Sequence, residues 1–235
     1  EQVLETPGAH LLSPKDLAGV SALPALIASG VAALKIEGRM KSAEYVALVT
    51  GVYRAALDRA SAAPETYEVR QGERSVLSEA FSRGFTEAYL TGTSGNEMMS
   101  YRRPNNRGIP VARICSVEGS SKATISFDVP VEAEDIIEIW TSRGRFAQPV
   151  GALRYAGAEH PSVPAGVKAT VVLVEPAGAG DRVFRVRNAA LSAAAARSFS
   201  GSDAAPVPLS FAVSVTESQP LRVDVSDLTG RTGGA

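Results

Sequence analysis

The stretch that decides the predicted fold runs from residue 30 to residue 60 and begins Gly30-Val31-Ala32-Ala33-Leu34-Lys35-Ile36-Glu37-Gly38-Arg39-Met40-Lys41. The apolar run Val31 to Ile36 follows a glycine and is typical of a buried strand. From Ser42 to Ala60, apolar residues recur at helical spacing. Upstream, Leu23 to Ser29 predicts a helical turn and Ser13 to Asp16 predicts a helix start. This order of helix, strand, charged loop and helix predicts a parallel α/β domain.

The hydrophobic period changes to two after Gly108, which indicates short strands. The predicted strands are Val111 to Ser116, Ala123 to Phe127, Ile136 to Trp140, Val167 to Val174, Arg182 to Val186 and Leu209 to Val215. We therefore expect an α+β protein with four segments. These are an α/β piece (1–60), a connecting helix and basic linker (61–107), a small β-barrel (108–187), and a helix, linker and terminal β segment (188–235).

Composition excludes several classes of protein. The chain has 235 residues, one cysteine, two histidines and a net charge of −1, so neither a disulfide framework nor a Cys/His zinc site is expected. Cys115 lies in an apolar run and is interpreted as a core residue. No run approaches the ~18 apolar residues that a membrane span needs, so we expect a cytoplasmic protein without a membrane partner. The chain opens on Glu1 rather than Met, which we interpret as part of a larger protein.

The charged group Lys35, Glu37, Arg39 and Lys41 is the first candidate site. On an extended strand, alternate side chains share one side, so residues 35, 37 and 39 would project together at the strand end. A cation, a carboxylate and a guanidinium placed there could hold an anionic substrate and position a proton. The alternative is a solvated salt network at the end of a strand.

A basic, partly aromatic segment is the second candidate. It comprises Tyr101, Arg102, Arg103 and Arg107, together with Arg113 on the following strand. Arginine forks match phosphate oxygens and a ring can stack on a base, so this segment could contact nucleic acid. The alternative is a linker that pairs with acidic residues of a neighbouring domain.

Other charged or turn-forming groups allow two interpretations. Arg83, Gly84 and Phe85 could form a substrate-facing turn, or Phe85 could help fill a packing corner. An acidic cluster is interpreted as an exposed loop and strand face; its members are Glu132, Glu134, Asp135 and Glu138. No Ser/His/Asp, Cys/His or H-E-x-x-H pattern of a protease is present in the sequence.

Ordered blocks between about residue 10 and residue 110 resemble the peptidase U32 (collagenase-like) family. The blocks are Leu11-Leu12-Ser13-Pro14-Lys15-Asp16-Leu17, residues 30–42 with their K-I-E-G-R-x-K-S core, Glu44-Tyr45-Val46, Phe81-Ser82-Arg83-Gly84-Phe85-Thr86 and Arg103-Pro104-Asn105-Asn106-Arg107-Gly108. The resemblance implies a TIM-type barrel followed by a β-barrel similar to elongation factor Tu domain two. Residues 1–60 would then be the last β/α units of a barrel whose N-terminal portion is missing from this chain.

The same resemblance implies the function to be tested. The C-terminal region looks like the branch related to ribosomal-RNA cytidine hydroxylation proteins, in which four cysteines hold an iron–sulfur cluster and prephenate is an oxygen donor. This chain lacks the cysteine-rich motif that precedes Leu11 in the family, and Ala18 stands where several members have a cysteine. We therefore expect no cofactor in this chain, a cluster in the full-length parent enzyme, and structured RNA as the partner.

Two alternatives to RNA hydroxylation stay open. The parent could be a hydrolase that acts on collagen-like peptides, as the family name implies, although no catalytic residue for that chemistry is identified. Alternatively, the chain could be a non-catalytic binding module. In each case the isolated chain is expected to be catalytically inactive.

The basic segment gives a direct test of the RNA interpretation. Replacing Arg102, Arg103 and Arg107 by Ala should weaken RNA binding. A phosphate that no guanidinium contacts keeps its counterions, so fewer counterions are released when the RNA binds. The slope of log K against log salt should flatten by roughly 1 for each lost phosphate contact, measured by titration at several salt concentrations. Unchanged affinity and slope would exclude this segment as an RNA contact.

Overall fold

The computed structural model describes residues 10–101, 106–201, 208–227, 229–230 and 232–234. These residues form a mixed helical and sheet structure in which the largest sheet is antiparallel. The chain divides into two compact units, Glu1–Phe199 and Ser200–Ala235. The architecture agrees with the predicted α+β class at this level.

Four α-helices occur in the described chain. They are α1 (Leu23–Ala28), α2 (Ala43–Ala62), α3 (Gln71–Ala80) and α4 (Ala189–Ser200). The Ser42 hydroxyl caps α2 by accepting the backbone N–H of Tyr45 at 3.2 Å, which satisfies one donor of the first turn. Gly30, with φ of 78°, follows α1 in the left-handed conformation that a glycine adopts at little cost. Both helix ends were predictable from these residues.

Fifteen strands complete the described structure. They are β1 (Asp16–Leu17), β2 (Phe85–Thr86), β3 (Ile109–Glu118), β4 (Lys122–Phe127), β5 (Val131–Glu132), β6 (Ile136–Thr141), β7 (Gly144–Pro149), β8 (Leu153–Tyr155), β9 (Ala158–His160), β10 (Ser162–Val163), β11 (Lys168–Val172), β12 (Arg182–Arg187), β13 (Leu209–Ser214), β14 (Arg222–Asp227) and β15 (Thr232–Gly234). Eight of them form one sheet in the order β7-β6-β12-β3-β4-β11-β8-β9. Every predicted strand beyond residue 108 corresponds to one of these elements.

The eight-stranded sheet curls around one apolar core. Its largest fully buried side chains include Phe127, Ile125 and Ile137, each with no exposed surface. Gln148 on the edge strand β7 donates to the carbonyl of Val172 and accepts the N–H of Val174, both at 2.8 Å. These bonds join one edge of the sheet to the end of β11, so the sheet closes on itself at this point.

A second core lies between α1, α2 and α3. Its fully buried members include Leu23, Ala56 and Ala60. Small residues at the last two positions allow the helices to approach closely. A short parallel pair joins β1 and β2, with Asp16 opposite Phe85, and ties the start of the described chain to the segment after α3.

Two predicted elements in the first 40 residues are wrong. Val31 to Ile36 forms no strand with any described residue, and Val31 and Leu34 remain 46% and 41% exposed. A strand needs a hydrogen-bonding neighbour, and the described chain supplies none here. Ser13 to Asp16 does not start a helix either. It is extended, because the backbone of Pro14 pairs with Met99 and Asp16 joins β1.

Two further expectations within the sheet are also wrong. Cys115 is exposed, since Ile114 points into the core and the alternation along β3 turns the next side chain outward. Asp135, predicted to lie on an exposed loop, is only 1% exposed. Its burial follows from a charged partner far away in the sequence.

Arg185 on β12 is that partner, and it joins the helical part to the sheet. Its guanidinium lies 3.1 Å from a carboxylate oxygen of Asp135 and 2.8 Å from one of Glu79 on α3. Asp135 also accepts the N–H of Ala189 at the start of α4, and Glu79 accepts the side-chain amide of Asn188. One buried cation thus holds α3, α4 and the sheet together.

The second unit contains a three-stranded antiparallel sheet in the order β13-β14-β15. Side chains on both faces of β13 are exposed, including Phe211 at 63% and Val213 at 59%. Among the described residues of the whole chain, none of the helices combines the length and apolar character needed to cross a membrane.

Arg185 provides a stability test. An Arg185→Met variant should lose about 3–5 kcal/mol of unfolding free energy, because two buried carboxylates lose their cation. Urea unfolding monitored by circular dichroism measures the change.

The matched control is Arg154→Met, which breaks an exposed pair with Glu159 and should cost only about 0–1 kcal/mol. Neutralising Glu79 and Asp135 in the Arg185→Met background should recover part of the loss. Equal losses in the two single variants would show that the buried network does not support the fold.

Candidate functional site

The first candidate group lies in one cavity of ≈ 370 Å³. Lys35, Glu37, Arg39 and Lys41 all line it, together with Arg83 from the segment before β2. Lys15 and Asp16 also contribute to its wall. Five cations and two carboxylates therefore line the cavity, so its local formal charge is positive.

Asp16 and Arg83 form the fixed wall of this cavity. The Arg83 guanidinium donates to one carboxylate oxygen of Asp16 at 2.7 and 3.1 Å, and the Arg83 backbone N–H donates to the other oxygen at 2.7 Å. The parallel pairing of β1 with β2 brings these residues together across 67 positions of sequence. Both side chains are held in place, so they can position a ligand with little further loss of entropy.

A tight turn presents the remaining charged residues. The N–H of Lys41 donates to the carbonyl of Gly38 at 3.0 Å, and Met40 has φ of 62° and is 95% exposed. A left-handed conformation costs a non-glycine residue roughly 1–2 kcal/mol. Glu37 accepts the N–H of Arg39 at 2.6 Å. The strained turn thus directs Arg39 and Lys41 toward the cavity on either side of an exposed methionine.

The electrostatics of the cavity single out Lys41. Burial lowers the pKa of its ammonium group, the charge of Asp16 raises that pKa and the charge of Arg83 lowers it again. The ammonium lies over the rings of Phe81 and Tyr45, which partly replace its hydration. Burial, Asp16 and Glu37 raise the pKa of Tyr45, so its hydroxyl stays protonated and can donate a hydrogen bond.

Three sequence blocks meet beside this cavity. The backbone N–H of Asp16 donates to the carbonyl of Gly84 at 2.9 Å, and that of Arg107 donates to the carbonyl of Ser82 at 2.8 Å. Gly84 has φ of 90°, and a side chain there would contact Lys15 and Arg107. The residues of the S-P-K-D, S-R-G-F and N-x-R-G blocks therefore support one another.

The other sequence-predicted residues lie at several places. Phe85 is 37% exposed on β2, next to the turn that carries Arg83. Arg107 donates to the Ser100 hydroxyl, and its Nε atom is buried without a hydrogen-bond partner among the described groups. Tyr101 is partly buried and Arg113 is exposed on β3, where its guanidinium donates to the carbonyl of Gly180. Arg102 and Arg103 lie outside the described residues.

Four residues that line the cavity are not predicted by local spacing: Lys15, Asp16, Tyr45 and Tyr53. The sequence predicts a helix start at Lys15 and Asp16, and it predicts an apolar helix stripe that includes the two tyrosines. For Lys15 and Asp16, the sequence signal is their place in the S-P-K-D block. Asp16 lies 67 positions before Arg83, so local sequence does not reveal the contact between them.

The four-cysteine site that the family resemblance implies can be compared with the residues present. Its single cysteine, Cys115, is exposed on β3. Within the described residues, no group of three or more His, Cys, Asp or Glu side chains could hold a metal ion. The cluster that the family resemblance implies therefore has no ligand set in the described part of this chain.

Comparisons with known proteins agree with the block analysis. Residues 1–100 match the sequence model of Peptidase family U32. The chain is 41% identical over 86 residues to tRNA hydroxylation protein P1 of Bacillus subtilis (strain 168), covering 37% of this chain and 20% of that protein.

Two further relatives carry different functional names. The 23S rRNA 5-hydroxycytidine C2501 synthase of Escherichia coli (strain K12) is 34% identical over 119 residues, covering 46% of this chain and 17% of that protein. A collagenase of Porphyromonas gingivalis is 32% identical over 91 residues, covering 38% of this chain and 25% of that protein. The aligned chain thus spans a quarter or less of these three relatives.

Lys41 allows a test of the cavity electrostatics. An Asp16→Asn variant should lower the pKa of Lys41 further, because the carboxylate charge that favours the ammonium is removed. An Arg83→Met variant should raise it, because a neighbouring cation is removed. Carbon-13 NMR titration of reductively methylated lysines measures both shifts.

Glu159→Gln is a control with the same change of charge on β9, and it should leave the pKa of Lys41 unchanged. Shifts of the same sign in the Asp16 and Arg83 variants would contradict the arrangement of charges described for the cavity.

Proposed function

We propose that the chain, whose residues 1–100 match the sequence model of Peptidase family U32, is the C-terminal, substrate-binding portion of a protein that hydroxylates RNA bases. The relatives named for tRNA and 23S rRNA hydroxylation support this choice of substrate class. The structural observation that carries the proposal is the cationic cavity between the turn at Met40 and the segment before β2.

The cavity is suited to an RNA backbone. Arg39 and Arg83 offer forked donors that match phosphate oxygens, and Lys35 adds a point charge. Tyr45 offers a protonated hydroxyl beside them. Overall net charge is −1, so binding depends on this local cluster rather than on a general positive field.

Peptide hydrolysis is the second candidate, favoured by the collagenase relative. It needs a nucleophile activated by a base and a donor pair for the oxyanion. His160 is stacked on Tyr155 at 4.0 Å, and Cys115 lies on the outside of β3. Neither arrangement provides an activated nucleophile, so RNA binding is the better supported function.

The oxidising chemistry is assigned to the parent protein rather than to this chain. The missing N-terminal barrel portion would supply the iron–sulfur cluster, and the cavity would present RNA to it. We expect such a protein in the cytoplasm, where tRNA and rRNA are available.

RNA binding to the full chain tests the proposal. A Lys35→Ala/Arg39→Ala variant should bind a transcribed tRNA more weakly than the unmodified chain, because two phosphate contacts are lost. The slope of log K against log salt should fall by about 0.9 for each contact to duplex RNA, taking the value for duplex DNA as a guide. Fluorescence anisotropy at several salt concentrations measures both quantities.

Arg54→Ala is the matched control, since Arg54 is an exposed arginine on α2 that pairs with Asp58. It should leave affinity and slope unchanged. Equal binding by the cavity variant and the control would overturn the proposal, and so would cleavage of a collagen-like peptide by the chain alone.

A further inference from the structure

A row of cations crosses the outer face of the eight-stranded sheet. Strand pairing places these residues side by side in the order Arg145, Trp140, Arg182, Arg113, Ser126 and Lys168. Directly paired residues share one face of a sheet, and the four cations of the row are exposed. Five steps of about 4.8 Å between strands give the row a length of roughly 24 Å.

The row contains an aromatic stack. The Trp140 ring is stacked on Phe184, with centroids 4.0 Å apart and an interplanar angle of 26°. The Arg182 guanidinium lies 5.1 Å from the Trp140 centroid and 5.6 Å from that of Phe184. These three distances form a triangle, so the guanidinium lies beside the ring pair rather than at its end. Phe184 is buried, whereas Trp140 is partly exposed and Arg182 is exposed, so the Trp140 ring and a cation are adjacent on this sheet face.

The surroundings of the row are polar. A second row runs alongside it through Ser116, Thr124, Thr170 and Arg154, which gives three hydroxyl groups and one more guanidinium. The carboxylate of Glu138 accepts the indole N–H of Trp140 at 2.6 Å and lies 3.6 Å from Arg145. It neutralises part of the charge and fixes the indole plane, and Arg182, Arg113 and Lys168 extend the row beyond it.

We propose that this outer sheet face, here called the arginine row, binds a single-stranded segment of RNA. Phosphates would contact Arg145, Arg113 and Lys168, and a base would stack on the partly exposed Trp140 ring, which Phe184 supports from within, beside Arg182. This inference rests on the proposed function for its substrate class. It adds a second contact surface, formed by residues that do not line the cavity.

Single-stranded RNA fits this surface better than a duplex or an acidic protein does. The outer sheet face carries the partly exposed Trp140 ring, on which an unstacked base can lie, whereas paired bases hide their faces inside a helix. The linear order of cations across six strands matches a polymer with regularly spaced charges. An acidic protein would make little use of the stacked rings.

Trp140 is the sole tryptophan of the chain, so its fluorescence reports on this surface alone. The full chain is titrated with an oligouridylate of about a dozen nucleotides, within the size range of known single-strand sites. Inorganic polyphosphate of similar charge serves as the anion without bases. We expect strong quenching of Trp140 by the oligouridylate and weak quenching by polyphosphate, because only the former stacks.

Variants separate this surface from the cavity. An Arg113→Ala/Arg145→Ala/Arg182→Ala variant should lower the salt slope for the oligouridylate by about 1.4, at roughly 0.7 for each of the two phosphate contacts that it removes. Arg113→Ala/Lys168→Ala keeps the aromatic stack and should lower the slope by about 1.4. Arg54→Ala on α2 is the control and should change neither slope nor quenching, and circular dichroism confirms that each variant is folded.

The outcomes distinguish the two proposals. An unchanged slope in both row variants overturns the arginine row, and a loss confined to Lys35→Ala/Arg39→Ala leaves the cavity proposal intact. Equal quenching by oligouridylate and polyphosphate overturns base stacking at Trp140. Loss in the row variants with no loss in the cavity variant supports the row and overturns the cavity instead.

Discussion

The buried ion pairs of Arg185 are the interaction on which the rest of the structure depends. This cation on β12 contacts Glu79 on α3 and Asp135 beside β6, and Asp135 also receives the first N–H of α4. Without it, two carboxylates would face each other in an environment that excludes water. The helical part that carries the cavity is thereby fixed to the sheet that carries the arginine row. Within the first unit, the Arg185 guanidinium is thus a contact that fixes the two candidate surfaces relative to each other.

Under the proposed function, the two surfaces would contribute to RNA binding in physically different ways. The cavity concentrates five cations around two carboxylates in a concave space, where a partly desolvated ammonium interacts strongly with an anion. The four cations on the sheet face are exposed to water, so each contributes less there and screening by salt is greater. A ligand held at both surfaces would gain from the raised local concentration that follows the first contact.

Local sequence was informative wherever local interactions decide the structure. The helical stripe and the Ser42 cap predicted α2, and the period of two predicted β3, β4 and β12. Contacts between distant residues were not predictable in this way. The run Val31 to Ile36 has the composition of a strand but no neighbour among the described residues, and Asp16 meets Arg83 across 67 positions. The sequence predicts an exposed Asp135, because its partner Arg185 lies 50 residues downstream and gives no local signal.

Gly108 shows what the N-x-R-G block encodes. It has φ of 62°, and a methyl group placed there would overlap the carbonyl of Arg185. The glycine is therefore required by the junction between the linker and β12, whatever ligand the protein binds. In a search of genomes, this block would report the close approach of residue 108 to β12, and it would retrieve proteins with this packing irrespective of the reaction that each performs.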